Sequence, residues 1–65
     1  MSDKEEIGRV HGKNHTYTIV KHKVTFGDDL YCVVRDDDKN EGRFRSRADA
    51  YREAHEKAGS GAYES

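Results

Sequence analysis

The sequence predicts an α+β domain: a three-stranded antiparallel sheet, four-stranded if a short N-terminal strand joins it, with one C-terminal helix packed on one face. Three observations predict it. Two consecutive runs are rich in β-branched and aromatic residues and are separated by turn chemistry. The chain then enters an alanine-rich segment that carries both a start and a stop signal for a helix. Between them, the short stretch Arg43-Phe44-Arg45 leads directly into the start signal.

Taken in order, residues 1–6 are polar and charged and read as a flexible N-terminus, before a single domain over 7–59. Ile7-Gly8-Arg9-Val10 is the candidate extra strand, followed by a turn at Gly12-Lys13-Asn14. Residues 16–26 give the strongest strand signal, Thr-Tyr-Thr-Ile-Val-Lys-His-Lys-Val-Thr-Phe. Gly27-Asp28-Asp29 is turn chemistry, and residues 30–36 form the next strand. A polar turn over 37–42 precedes Arg43-Phe44-Arg45, and residues 60–65 read as a flexible C-terminal tail.

The helix is the best-punctuated element. Ser46 suits the N-cap, where its hydroxyl accepts from the N–H three residues on. Asp49 stands where a capping box needs its acidic partner. Ala48, Ala50, Ala54 and Ala58 favour helix, and Gly59 supplies the left-handed residue that ends it. Ala50, Tyr51, Ala54 and Ala58 share one face. A helix this short with so little apolar surface needs a sheet to pack on.

Strand alternation then assigns faces. A three-residue loop of Gly27, Asp28 and Asp29 pairs Phe26 with Leu30, Val24 with Cys32 and His22 with Val34. Val20, Val24, Phe26, Leu30, Cys32, Val34 and Phe44 then share an apolar face that suits the helix. Tyr17, Ile19, Lys21, Lys23, Tyr31, Val33, Arg35, Arg43 and Arg45 share the other. One helix covers one side of so small a sheet, so this second, basic and aromatic face is expected to be open.

Composition narrows the function. A chain of 65 residues buries a modest core, and with 12 Lys and Arg against 13 Asp and Glu its net charge is −1, unlike a generic nucleic-acid coat. The single cysteine, Cys32, allows no internal disulfide and falls on the expected core face, where it reads as a small apolar residue. Without a signal peptide or a long apolar run, the chain reads as cytoplasmic, with no membrane partner.

No residue pattern dictates a chemistry. Asp36, Asp38 and Asn40 have the alternate spacing of calcium-loop ligands. However, Glu41 stands where the loop needs glycine, and Arg47 where it needs the bidentate glutamate, so a solvated turn is the better reading. His11, His15, His22 and His55 lack metal-ligand spacing, so neither metal nor cofactor is expected. No nucleophile–base pair, phosphate loop or carboxylate pair is legible, and the chain is not expected to be an enzyme.

The segments Val33-Val34-Arg35-Asp36, Lys39-Asn40-Glu41-Gly42-Arg43-Phe44 and Ser46-Arg47-Ala48-Asp49-Ala50 resemble a three-strands-then-helix layout. The layout is similar to the ethylene-response-factor type DNA-binding domain and to the arm-type domain of phage and transposon integrases. The resemblance spans 33–58. It implies a sheet that enters the major groove, with Arg35 and Arg43 at positions that contact DNA. The expected function is thus a binding module using the open face. DNA would be held by Lys21, Lys23, Arg35, Arg43 and Arg45. The alternative is a protein-interaction modulator or inhibitor of the phage or mobile-element accessory type, or a homodimer, using Tyr17, Ile19, Tyr31 and Val33.

Overall fold

The computed structural model describes residues 4–23, 27 and 29–65. Five strands and one helix follow in the order β1 (Lys4–His11), β2 (Thr16–His22), β3 (Leu30–Arg35), β4 (Asn40–Phe44), α1 (Arg47–Ala58) and β5 (Tyr63–Glu64). The strands form one antiparallel sheet in the spatial order β4-β3-β2-β1-β5. The α+β class, antiparallel sheet and C-terminal helix packed on it are as the sequence predicts, but the sheet has five strands rather than three or four. The two additions come from both ends of the chain. β1 takes in Lys4, Glu5 and Glu6 from the segment read as a flexible N-terminus. β5 lies within the segment read as a tail.

The connections follow from local chemistry. Gly12 N–H donates to the His15 carbonyl at 2.9 Å and closes the β1–β2 turn. At the β3–β4 turn, Asp38 N–H donates to the Arg35 carbonyl at 2.9 Å, and Asp38 itself takes φ 68°, which aspartate tolerates better than most residues. Helix α1 begins at Ser46, whose φ of −129° and ψ of 136° are those of an N-cap, and whose Oγ accepts from Asp49 N–H at 3.4 Å. It ends where Gly59, at φ 91°, donates its N–H to the His55 carbonyl at 2.9 Å.

Pairing between β2 and β3 differs from expectation by four residues. His22 pairs with Leu30, Val20 with Cys32 and Thr18 with Val34. The expected partners Val24 and Phe26, and the turn residue Asp28, lie outside the described residues. Because the shift is even, Val20, Leu30, Cys32 and Val34 still share a face, as do Tyr17, Ile19, Tyr31 and Val33.

The face that takes the helix is the opposite of the one expected. The core consists of Val10, Tyr17, Ile19, Val33, Ala50 and Ala54, with Ile7, Tyr31, Phe44, Tyr51, Ala58 and Ala62 packed around it. Thus Tyr17, Ile19, Tyr31 and Val33 lie under the helix rather than on an open face. Val20, Leu30, Cys32 and Val34 point away from it. Phe44 and Arg43 exchange sides only relative to their β3 neighbours, so Phe44 packs under the helix and Arg43 faces away from it, as expected. Val33 pairs with Gly42 and Val34 with Asn40, so Glu41 is an extra residue in β4, and the register sets Phe44 opposite Tyr31 and Arg43 opposite Cys32.

β1 supplies the physical reason for the choice of face. Its bulge makes Ile7 an extra residue and sets Gly8 opposite Ile19, on the helix side. A Cβ at Gly8 would overlap the Tyr51 hydroxyl and lie 3.1 Å from Cζ of that ring. A Cβ at Gly12 would lie 2.8 Å from both the Cβ and the carbonyl oxygen of Ala58. Helix α1 is therefore seated at two points where the chain has no side chain. On the other side of β1 stand Glu6 and Arg9, which offer no such seat.

Candidate interaction face

The sheet face away from α1 is built from rows of paired residues. One row runs Lys4, His22, Leu30 across β1, β2 and β3. The next runs Glu6, Val20, Cys32, Arg43 across β1 to β4, and a third runs Arg9, Thr18, Val34, Asn40. Each residue is placed by the strict alternation of its strand, so the apolar positions of β2 and β3 fall in the middle and the charged positions of β1 and β4 at the margins. Val20, Leu30 and Val34 are half-buried, and Cys32 is buried. Among the described residues no helix or second sheet lies over them.

These side chains line a shallow depression of about 490 Å³, with His22 and Arg43 on its wall and Lys4, Asp38 and Asn40 completing it. Its centre is apolar. Along the β1 margin the Arg9 guanidinium donates to the Glu6 carboxylate at 3.0 Å, an exposed pair that sets an acid and a base side by side.

The cations expected to hold DNA are not brought together. Lys21 pairs with Tyr31 on the helix side, and its Nζ lies 3.4 Å from Asp29 Oδ2. Arg35 pairs with Tyr17 on that same side and donates from Nε to Asp37 Oδ1 at 2.7 Å, with Glu41 Oε1 3.9 Å from its Nη1. Arg43 stands on the uncovered face, and Lys23 and Arg45 are exposed beyond the ends of β2 and β4.

Electrostatics follow the same geometry. The hydrogen bond to Asp37 raises the Arg35 guanidinium above its ordinary range, and the reciprocal bond holds the Asp37 carboxyl well below the usual carboxylate range. The His15 hydrogen bond at 3.0 Å, helped by Thr16 N–H, lowers Asp36. Asp36 and Asp37 are thus held by His15 and Arg35 at the β3–β4 turn, while Asp38 borders the depression.

Tyr17, Ile19, Tyr31 and Val33 are brought together, but as core. Ile19 and Val33 are fully buried, and Tyr17 is 5% exposed with its hydroxyl donating to the Lys57 carbonyl at 3.5 Å. Three of the four histidines are clips. His15 ties β2 to the β3–β4 turn through Asp36, His11 stacks on Tyr63 with ring centres 4.9 Å apart, and His55 Nε2 meets Glu64 Oε2 at 3.0 Å. Among the described residues, no three His, Cys, Asp or Glu side chains are grouped to hold a metal ion.

Comparison with protein-family models, curated proteins and solved structures finds no match. The site therefore rests on its own geometry. Sequence reasoning passed over Val20, Leu30 and Val34 as surface residues because their alternation made them equally good core residues. The available signal was the glycine pair, Gly8 and Gly12, which marks the close approach of another element on one side of the sheet.

Proposed function

We propose that this chain is a non-enzymatic interaction module that binds a protein partner through the uncovered face of its sheet. The observation that carries the proposal is the apolar centre formed by Val20, Leu30, Cys32 and Val34 between charged margins. An apolar centre inside a polar rim is the ordinary anatomy of a protein interface. A phosphate backbone instead calls for clustered, uncompensated cations, and Lys21 and Arg35 already face carboxylates on the other side.

Site-specific photocrosslinking tests this. A benzophenone side chain placed at position 30, on the uncovered face, is expected to trap a discrete protein partner in cells. The same group at position 52, exposed on α1, is expected to trap none. Equal labelling from both positions overturns the proposal. Titration with duplex DNA at two salt concentrations supplies the opposing outcome. Tight binding that falls steeply with salt and is lost on combining Arg35→Ala with Arg43→Ala would move the function to nucleic acid.

A further inference from the structure

We infer that the partner seated on the uncovered face is a second copy of this chain, related by a two-fold axis that runs along the strands. The inference rests on the face proposed above and names its occupant.

The row Glu6, Val20, Cys32, Arg43 carries an acid at one end, a base at the other and apolar groups between. When two such faces meet, the direction of the two-fold axis decides which charges face each other. An axis across the strands sets Arg43 against its own copy and Glu6 against its own copy, which is repulsive at both ends. An axis along the strands reverses the row, so Arg43 of each copy lies over Glu6 of the other. The same operation lays β2 of one copy on β3 of the other, so that Val20 meets Cys32, Thr18 meets Val34 and His22 meets Leu30. The next row agrees. Arg9 at the β1 margin comes towards the β3–β4 turn of the other copy, where Asp38 borders the depression. Each margin then holds Lys4, Arg9 and Arg43 with Glu6 and Asp38, three bases among two acids.

Size fits the same occupant. The chain fills an outline of 37 × 21 × 18 Å, so a standard interface of roughly 800 Å² per partner would engage nearly the whole of its broad face. Face-to-face packing of twisted sheets is an established way to bury a half-apolar sheet face. It also supplies a second apolar layer to a domain whose own core is small.

Sedimentation equilibrium up to about 1 mM protein tests the inference. The unmodified chain is expected to show a concentration-dependent dimer. Glu6→Arg and Arg43→Glu, both at exposed positions, are each expected to weaken it about tenfold or more, and the two combined to restore it to within a few-fold. Circular dichroism of each variant confirms that the fold is retained. A chain that stays monomeric throughout, or a double variant no better than the singles, overturns the inference. A monomer that is still crosslinked from position 30 to a different protein overturns the second copy alone and leaves the proposed interaction face standing. A monomer with no specific crosslink overturns both.

Discussion

Val33 and Val34 are chain neighbours on opposite faces of the same strand, and their surroundings have little in common. Val33 is fully buried under α1 among Ile19, Ala50 and Ala54, whereas Val34 is half-buried on the face the helix leaves bare. The two faces do not differ in apolar content enough to explain this. Each has apolar residues on both β2 and β3, Tyr17, Ile19, Tyr31 and Val33 on one side and Val20, Leu30, Cys32 and Val34 on the other. They differ along β1 and the turn that follows it, where the helix side offers Gly8 and Gly12 and the other side offers Glu6 and Arg9. A small sheet thus takes its helix where side chains are missing, because the helix must come close before its few alanines can bury anything.

The largest expected effect breaks the comparison at its centre. Val33→Ala should cost about 2 kcal/mol in chemical denaturation, since it empties a fully buried site. Val34→Ala should cost under about 1 kcal/mol to the fold, because part of that side chain already remains in water. Equal losses would mean that the uncovered face is packed as tightly as the core.

The glycine seats come next. Gly8→Ala and Gly12→Ala should each cost about 1–3 kcal/mol through overpacking against the helix. They should part company on rescue. At Gly8 the overlapping atom is the Tyr51 hydroxyl, so adding Tyr51→Phe should recover most of the loss, read as a non-additive double-mutant cycle. At Gly12 the crowding atoms include the carbonyl oxygens of Ala58 and His15 at 2.8 and 2.9 Å, so no side-chain truncation should help. If Tyr51→Phe fails to rescue Gly8→Ala, the helix is not seated through that hydroxyl.

The smallest effect concerns pH. Asp36 and Asp37 have carboxyls lowered in the folded state by His15 and Arg35 respectively. Their contribution to stability is therefore fully present above the unfolded aspartate pKa of about 3.9, and is drawn down as pH falls through the lowered folded values. Thermal unfolding followed from pH 6 to pH 2 should show a decline below about pH 4 that Asp37→Asn makes shallower. An unchanged decline would place the acid sensitivity elsewhere in the molecule.

Much of the fold was legible because its signals are local. Ser46, Asp49 and Gly59 punctuate the helix, and alternation sorted the residues of β2 and β3 into the two sets the structure contains. Three things were not legible, each for a physical reason. β5 is two residues long and is held by side-chain contacts, His11 to Tyr63 across most of the chain and His55 to Glu64 across nine positions, which no strand pattern announces. The β2–β3 register slips by an even number without disturbing either face, so alternation does not register it. The choice between two apolar faces depends on β1, whose charged first half hides a strand. The candidate site was misplaced for that last reason alone, since the rule that one side stays open was applied to the wrong side.

The closure of β5 onto β1 has a consequence for the order of assembly. Arg9 and Ser65 exchange backbone hydrogen bonds at 3.3 and 3.0 Å, and His11 reaches Ser65 across 54 positions of chain. The four preceding strands pair only with sequence neighbours through short connections, which are quick to close. Joining β5 to β1 requires almost the whole chain to be in place first, and two exposed strand residues offer little to hold it. The molecule is therefore an open meander that gains its fifth strand last. Until β5 docks, the whole outer edge of β1 is bare and open to any strand that reaches it first, and afterwards β5 covers only its end at residues 9–11.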